Sequence, residues 1–217
     1  MSKIFVGGYG GTGSRLFQRV MRASGYYLGR TNSALDWMGT NIVSWEASDK
    51  WFHNNNPQPL KKVIEQTIGD RESWSLKVGH LMYSFDLIKE LYPDALCILT
   101  IRHPLDSVTS NYKMHHTHGG YPINAPIKQR LNWYSWAHKL ALINTDYVFR
   151  LENMVYDPDH TINEIINLTQ AKPNPQELLQ FKNELIVPKS IGRGQKYYDQ
   201  FNNDPAVTMF DYQKDLS

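Results

Sequence analysis

Apolar residues in this chain follow two patterns: short unbroken runs, and stretches where they return every three or four positions. Ile4-Phe5-Val6, between Lys3 and Gly7, is the first run and predicts a buried strand. Leu16, Phe17, Val20 and Met21 then recur at helical spacing. Leu60, Val63, Ile64 and Ile68 predict a helix that Gly69 ends. Trp74 to Val78 predicts a second strand, and Met82, Phe85, Ile88 and Leu91 a helix ending at Tyr92-Pro93. Ala95 to Ile101 is the clearest strand, a continuous run of the kind buried on both faces of a parallel sheet. Pro104 opens a helix with Leu105, Val108 and Tyr112 on one side, and Asp106 suits its first turn through the dipole. Ile127, Leu131, Tyr134 and Ala141 mark a long helix, and Asp146 to Leu151 a fourth strand. Pro158 opens a helix with Ile162, Ile165 and Ile166; Leu178, Leu179, Phe181 and Leu185 mark another. Residues 188 to 217 read as polar and irregular. Strands alternating with helices predict an α/β fold on a parallel sheet.

Residues 26 to 73 are the least regular. Trp37, Trp45, Trp51 and Phe52 stand among polar residues, and Asn54-Asn55-Asn56-Pro57 signals a loop. The stretch reads as an excursion covering one side of a pocket, or equally as a helical connection whose tryptophans pack on the sheet.

Between the first strand and the first helix lie five glycines: Gly7, Gly8, Gly10, Gly11 and Gly13. Strand, glycine loop and helix make an anion cradle, because glycines let backbone N–H groups turn inward and the helix N-terminus adds partial positive charge. Gly8 to Gly13 spells GxGxxG, a dinucleotide fingerprint that is weak alone. Its acidic partner about 20 residues on would be Asp36, which no second strand precedes. The same glycines spell GxxxxG, but Ser14-Arg15 replaces the Lys-Ser/Thr of a nucleoside triphosphatase loop, which argues against ATP hydrolysis. A third reading is a 5′-phosphosulfate loop, and a ligand-free glycine turn is the bland alternative.

At 217 residues one domain, spanning 1–217, is expected. The net charge of +2 is too small to imply nucleic-acid binding by bulk electrostatics. Cys97, the lone cysteine, excludes an internal disulfide and reads as a small core residue. No signal segment opens the sequence and no apolar stretch reaches membrane length, so a cytoplasmic, soluble protein is expected. Six tryptophans and thirteen tyrosines suit either a stacking surface for a ring-bearing ligand or ordinary core.

The sharpest motif is Arg102-His103-Pro104-Leu105-Asp106-Ser107-Val108-Thr109-Ser110. An arginine leaving a central strand and a serine eight residues on can grip one phosphate, as charged fork and hydroxyl donor. The segment resembles the 3′-phosphate-binding segment of sulfotransferases that use 3′-phosphoadenosine 5′-phosphosulfate, whose pattern is Arg-x-Pro-x-Asp with that later serine. Other segments agree in order. The glycine loop resembles the family's 5′-phosphosulfate loop. Lys77-Val78-Gly79-His80 is similar to the Lys-x-x-His segment that supplies the base in the cytosolic branch. Arg150 to Pro158 resembles the Tyr-Glu-Asp-Leu-x-x-Asp-Pro segment, and Ser190 to Gly194 the C-terminal Arg-Lys-Gly loop that closes over the cofactor.

The resemblance implies a three-layer sandwich around a central parallel sheet, the P-loop NTPase-like sulfotransferase fold. It implies sulfuryl transfer from 3′-phosphoadenosine 5′-phosphosulfate to a hydroxyl, by in-line transfer with a general base and without a metal. Gly10, Gly11, Thr12, Gly13, Ser14 and Arg15 would hold the 5′ end through amides and the Thr12 and Ser14 hydroxyls. Arg102, Ser110, Arg193 and Gly194 would hold the 3′-phosphate. His80 would take the acceptor's proton, and Lys77 or Arg15 would neutralise the leaving group. One departure matters: Gly11 stands where the family's loop carries Lys or Arg. A non-catalytic nucleotide-binding module on the same fold is therefore the alternative. The base could instead be Asp36 or Glu46, as in the carbohydrate branch, and His80 and Glu152 could be architectural. Arg102 could equally be an ion-pair partner of Asp106. His115, His116 and His118 read as a polar loop at the acceptor pocket rather than a metal site. The acceptor, a small molecule or glycan, is expected to offer a sugar hydroxyl first and a phenol or tyrosine second.

Overall fold

The computed structural model describes residues 2–39, 57–109 and 125–211. Four strands, β1 (Lys3–Gly8), β2 (Trp74–Lys77), β3 (Leu96–Ile101) and β4 (Tyr147–Arg150), form one parallel sheet in the order β2-β1-β3-β4. Val6 lies opposite Lys77 on one side and Ile98 on the other, and Ile101 lies opposite Arg150. All four strands therefore end at one edge of the sheet, where ligands of such folds bind.

The helices are α1 (Ser14–Ala23), α2 (Gln58–Ile68), α3 (Phe85–Leu91), α4 (Pro104–Val108), α5 (Ile127–Leu142), α6 (Leu151–Tyr156), α7 (Pro158–Thr169), α8 (Pro175–Asn183), α9 (Tyr198–Phe201) and α10 (Pro205–Thr208). Alternate strand residues point to opposite faces. Ile4, Val6 and Ile98 pack with Phe17, Val20, Phe149, Ile165 and Phe181 on one face. Phe5, Cys97, Leu99 and Ile101 pack with Leu60, Ile64, Phe85, Ile88 and Tyr134 on the other. Because both faces are covered, the strands read as unbroken apolar runs. The result is the expected three-layer α/β sandwich.

Three stretches differ from the sequence reading. The helix expected through Met82 and Leu91 is split into a 3-10 helix, Gly79–Ser84, and α3. That 3-10 turn lies against β1, and a Cβ on Gly7 would come within 2.3 Å of the Met82 nitrogen. The fourth strand ends at Arg150, and Leu151 already belongs to α6. The C-terminal stretch is not irregular. It forms a 3-10 helix, α9 and α10, and buries Ala206, Val207 and Phe210 against the core. Its apolar residues are too few and too scattered to show a helical stripe in the sequence.

Two consequences for stability follow. Gly13 has φ +84°, and a Cβ there would lie 2.7 Å from Leu151 Cδ1. Gly13→Ala is expected to destabilise by about 1–3 kcal/mol through left-handed strain and overlap. At roughly 2–4 °C per kcal/mol for this size, calorimetry should read a fall in Tm of several degrees.

His138 is fully buried, stacked on Tyr134 at 3.8 Å between ring centroids, and its Nδ1 lies 2.7 Å from the Tyr134 carbonyl. A carbonyl only accepts, so Nδ1 carries the proton, and Nε2 has no partner among the described residues. Burial pushes its pKa down to about 4. The unfolded chain takes up this proton first, near 6.5, so the contribution is complete above that pH and is lost as pH falls towards 4. The loss approaches about 3 kcal/mol at pH 4. Urea unfolding at pH 7 and pH 4.5 should show a smaller drop in stability for His138→Leu than for wild type.

Candidate functional site

The glycine loop leaves β1 at Gly8 and enters α1 at Ser14. Gly11 and Gly13 have φ of +80° and +84°, a region that side chains disfavour. Thr12 anchors the loop from beneath. It is 1 % exposed, and its hydroxyl donates to the Tyr9 carbonyl at 2.7 Å and lies 2.7 Å from the Thr100 hydroxyl. Thr100 Oγ1 in turn donates to the Gly7 carbonyl at 3.1 Å. In this arrangement the Thr12 hydroxyl is engaged by the loop's own main chain and by the sheet. The backbone N–H groups from Gly10 to Ser14 donate to no protein acceptor among the described residues. That leaves a row of open donors at a helix N-terminus, the chemistry that binds phosphate or sulfate.

Gly10, Gly11, Gly13 and Ser14 line a cleft of about 400 Å³ at the strand ends. Arg15, Leu16 and Arg19 of α1 form one wall, and Asp36, Lys77 and Gly79 another. Leu185, Ile186, Pro188 and Ser190, the segment after α8, form a third. Of this last wall the sequence marks Ser190, through the C-terminal loop, and Leu185; Ile186 and Pro188 carry no such signal.

Lys77 ends β2 and is 4 % exposed. Its Nζ lies 2.8 Å from Asp36 Oδ1 and donates to the Ala34 carbonyl at 2.7 Å. Burial draws the ammonium below the ordinary lysine range, with Asp36 opposing and Arg15 adding to the effect. Asp36 is delivered by a local turn in which Asn32 Oδ1 accepts from the Ala34 and Asp36 amides, at 2.8 and 2.9 Å. The Trp37 amide then donates to the Lys77 carbonyl at 2.7 Å, holding that turn against β2. His80 follows in the 3-10 helix, half-buried, and does not line this cleft, whereas Asp36 does.

Arg102 follows β3 and is 2 % exposed. Its guanidinium donates to the Gly11 carbonyl at 3.4 Å and to the Ser190 carbonyl, and Nη2 lies 3.7 Å from Asp106 Oδ2. Asp106 also reaches the C-terminal loop. Its two oxygens accept from the Gly192 and Gly194 amides, each at 2.6 Å. Arg193 lies between those glycines, exposed, and its charge is felt at Arg102. Glu152 accepts the His103 amide at 2.8 Å, which is an architectural role.

The structure thus brings together the glycine loop, Arg15, Lys77, Arg102, Arg193 and Gly194 at one edge. Ser110, Glu46, the tryptophans at 45 and 51, and the histidines at 115, 116 and 118 lie outside the described residues. Among the described residues no group of three or more His, Cys, Asp or Glu could hold a metal ion, and no helix is long and apolar enough to cross a membrane. The sequence offers Asp106 a dipole role and an ion pair with Arg102; its bonds to residues 86 and 88 positions away carry no local signal.

Comparison with known proteins agrees with this geometry. No curated protein sequence matches the chain significantly. Solved structures match its fold. Sulfotransferase STF9 from Mycobacterium avium superposes with a TM-score of 0.57 at 12% identity, covering 92% of this chain and 76% of its own. A sulfotransferase from Alicyclobacillus acidocaldarius gives 0.56 at 12% identity, with 98% and 96% covered. The sulfotransferase domain of the Synechococcus PCC 7002 olefin synthase gives 0.51 at 13%, with 91% and 94% covered. A family model described as "Sulfotransferase family" matches residues 46–172, more than half of the sequence and including Lys77, Arg102 and Glu152. With that match, and with strand ends that gather amides and cations around one cleft, the chain belongs to the sulfotransferase family.

Proposed function

We propose that the protein transfers a sulfuryl group from 3′-phosphoadenosine 5′-phosphosulfate to an acceptor hydroxyl. The observation that carries this reading is the 3.4 Å contact between Arg102 and the Gly11 carbonyl. It makes two anion grips neighbours, one of open amides and one of guanidinium, as a nucleotide phosphorylated at both ends requires. In the reaction the bond between sulfur and the phosphate oxygen breaks while one to the acceptor oxygen forms. The acceptor's proton passes to a base, and adenosine 3′,5′-bisphosphate leaves.

The amides from Gly10 to Arg15 and the Ser14 hydroxyl hold the 5′ end. Arg15 and Lys77 face the same cleft and offset charge on the leaving oxygen, the part played in the family's loop by the cation that Gly11 lacks. Arg102, Arg193 and Ser110 take the 3′-phosphate, and Gly194, whose amide is given to Asp106, shapes the turn that carries Arg193. Leu16, Leu185, Ile186 and Pro188 offer the apolar wall that suits a purine. The base is assigned to Asp36, which lines the cleft beside Lys77. The acceptor is a sugar hydroxyl first and a phenol second.

Adenosine 3′,5′-bisphosphate at a hundredfold excess over its Kd is expected to add about 2.7 kcal/mol of stability, read as a rise in Tm. Arg102→Ala should abolish that rise. No shift at millimolar bisphosphate would overturn the reading. Radiolabelled sulfate transfer to a panel of sugars and phenols then separates enzyme from binding module, the second reading, which Gly11 favours. A shift without transfer to any acceptor supports the module.

For the base, Asp36→Asn is expected to lower kcat about 10²- to 10³-fold. A drop of that size in His80→Ala, with Asp36→Asn active, would move the role to His80.

A further inference from the structure

We infer that Asp106 is the positioning residue of the 3′-phosphate subsite. It makes no contact with the nucleotide and acts by holding the Gly192–Gly194 turn, and Arg193 with it, over Arg102. The inference rests on the proposed nucleotide reading.

Asp106 is 1 % exposed, and a carboxylate removed from water must find donors. Arg102 supplies little, since its Nη2 stands 3.7 Å away. The donors are the Gly192 and Gly194 amides, one on each oxygen at 2.6 Å. Such charge-assisted bonds to a buried carboxylate are strong and directional. The two glycines leave no other way to make this contact. Gly192 has φ +80°, and a Cβ on Gly194 would lie 2.5 Å from the Leu105 carbonyl carbon and 2.8 Å from the Asp106 nitrogen. Gly194 is pressed onto α4 main chain, and the residue between the glycines is Arg193.

The same segment touches Arg102 a second time, through the Ser190 carbonyl. The two attachments differ in kind. A carbonyl on a guanidinium is what a phosphate oxygen replaces, because both are acceptors and the phosphate carries charge. The amide pair on Asp106 cannot be replaced by an anion. When a 3′-phosphate takes the guanidinium, Ser190 gives way, and the turn stays because its amides remain on Asp106. Arg193 is then held beside Arg102, and two cations converge on one dianion. The buried Nε of Arg102, which has no partner among the described residues, is a further donor at that place.

The test is titration calorimetry with adenosine 3′,5′-bisphosphate and with 5′-AMP, on the full chain and on Asp106→Asn. The wild type is expected to prefer the bisphosphate. Asp106→Asn, which turns an N–H donor towards one of the two amides, should lose ten- to a hundredfold of that preference, with AMP affinity within about twofold of wild type. In assays, KM for the sulfate donor should rise while kcat at saturation holds. A bisphosphate preference unchanged in Asp106→Asn overturns the inference and leaves the sulfotransferase reading standing. A wild type with no preference overturns that reading itself. Gly194→Ala guards against a misfolded Asp106→Asn. It leaves the carboxylate intact, pushes the turn off Leu105, and should cost the same preference; an undiminished preference there also overturns the inference.

Discussion

A cation taken almost wholly out of water organises this protein. Arg102 stands at the end of the central strand, and burying a guanidinium is unfavourable unless acceptors surround it. Its acceptors come from three places far apart in the chain: the Gly11 carbonyl, the Ser190 carbonyl and, at longer range, Asp106. Burial weakens its hold on the proton while Asp106 and Glu152 oppose, so the site keeps a charge poised for an anion. The glycine loop, the central strand and the C-terminal segment meet at this one group.

The loop works by a division of labour between side chain and main chain. Thr12 spends its hydroxyl on Tyr9 and Thr100, tying the loop to β3. The amides are thereby turned to the cleft, and the positive φ of Gly11 and Gly13 lets them converge. Lys77 and Asp36 close the opposite side as an ion pair whose lysine is buried. A cation with weakened proton affinity beside a carboxylate suits a reaction that moves one proton and one dense charge at the same time.

Much of this was legible along the chain. Every strand and long helix announced itself, because a parallel sheet covered on both faces demands unbroken apolar runs and its helices a 3.6-residue stripe. The glycine loop and the arginine motif were legible too, since strand, turn and helix are local and their ligand chemistry follows from residue type. The contact of the Thr12 hydroxyl with Thr100 was not legible, because that partner is 88 residues away. The C-terminal helices were missed because their burial depends on a core already built by other segments.

By itself the sequence determined which segments become strands and helices, and that the first loop supplies free backbone and Arg102 a fixed positive charge. Those are properties of neighbouring residues: spacing, backbone freedom and fixed charge. Only the tertiary structure decided that Arg102 rests against Gly11, that Asp36 pairs with Lys77 in the cleft, and that Asp106 holds the C-terminal turn. Those pairings join residues tens of positions apart, and it is the register of four parallel strands that brings their ends to one edge.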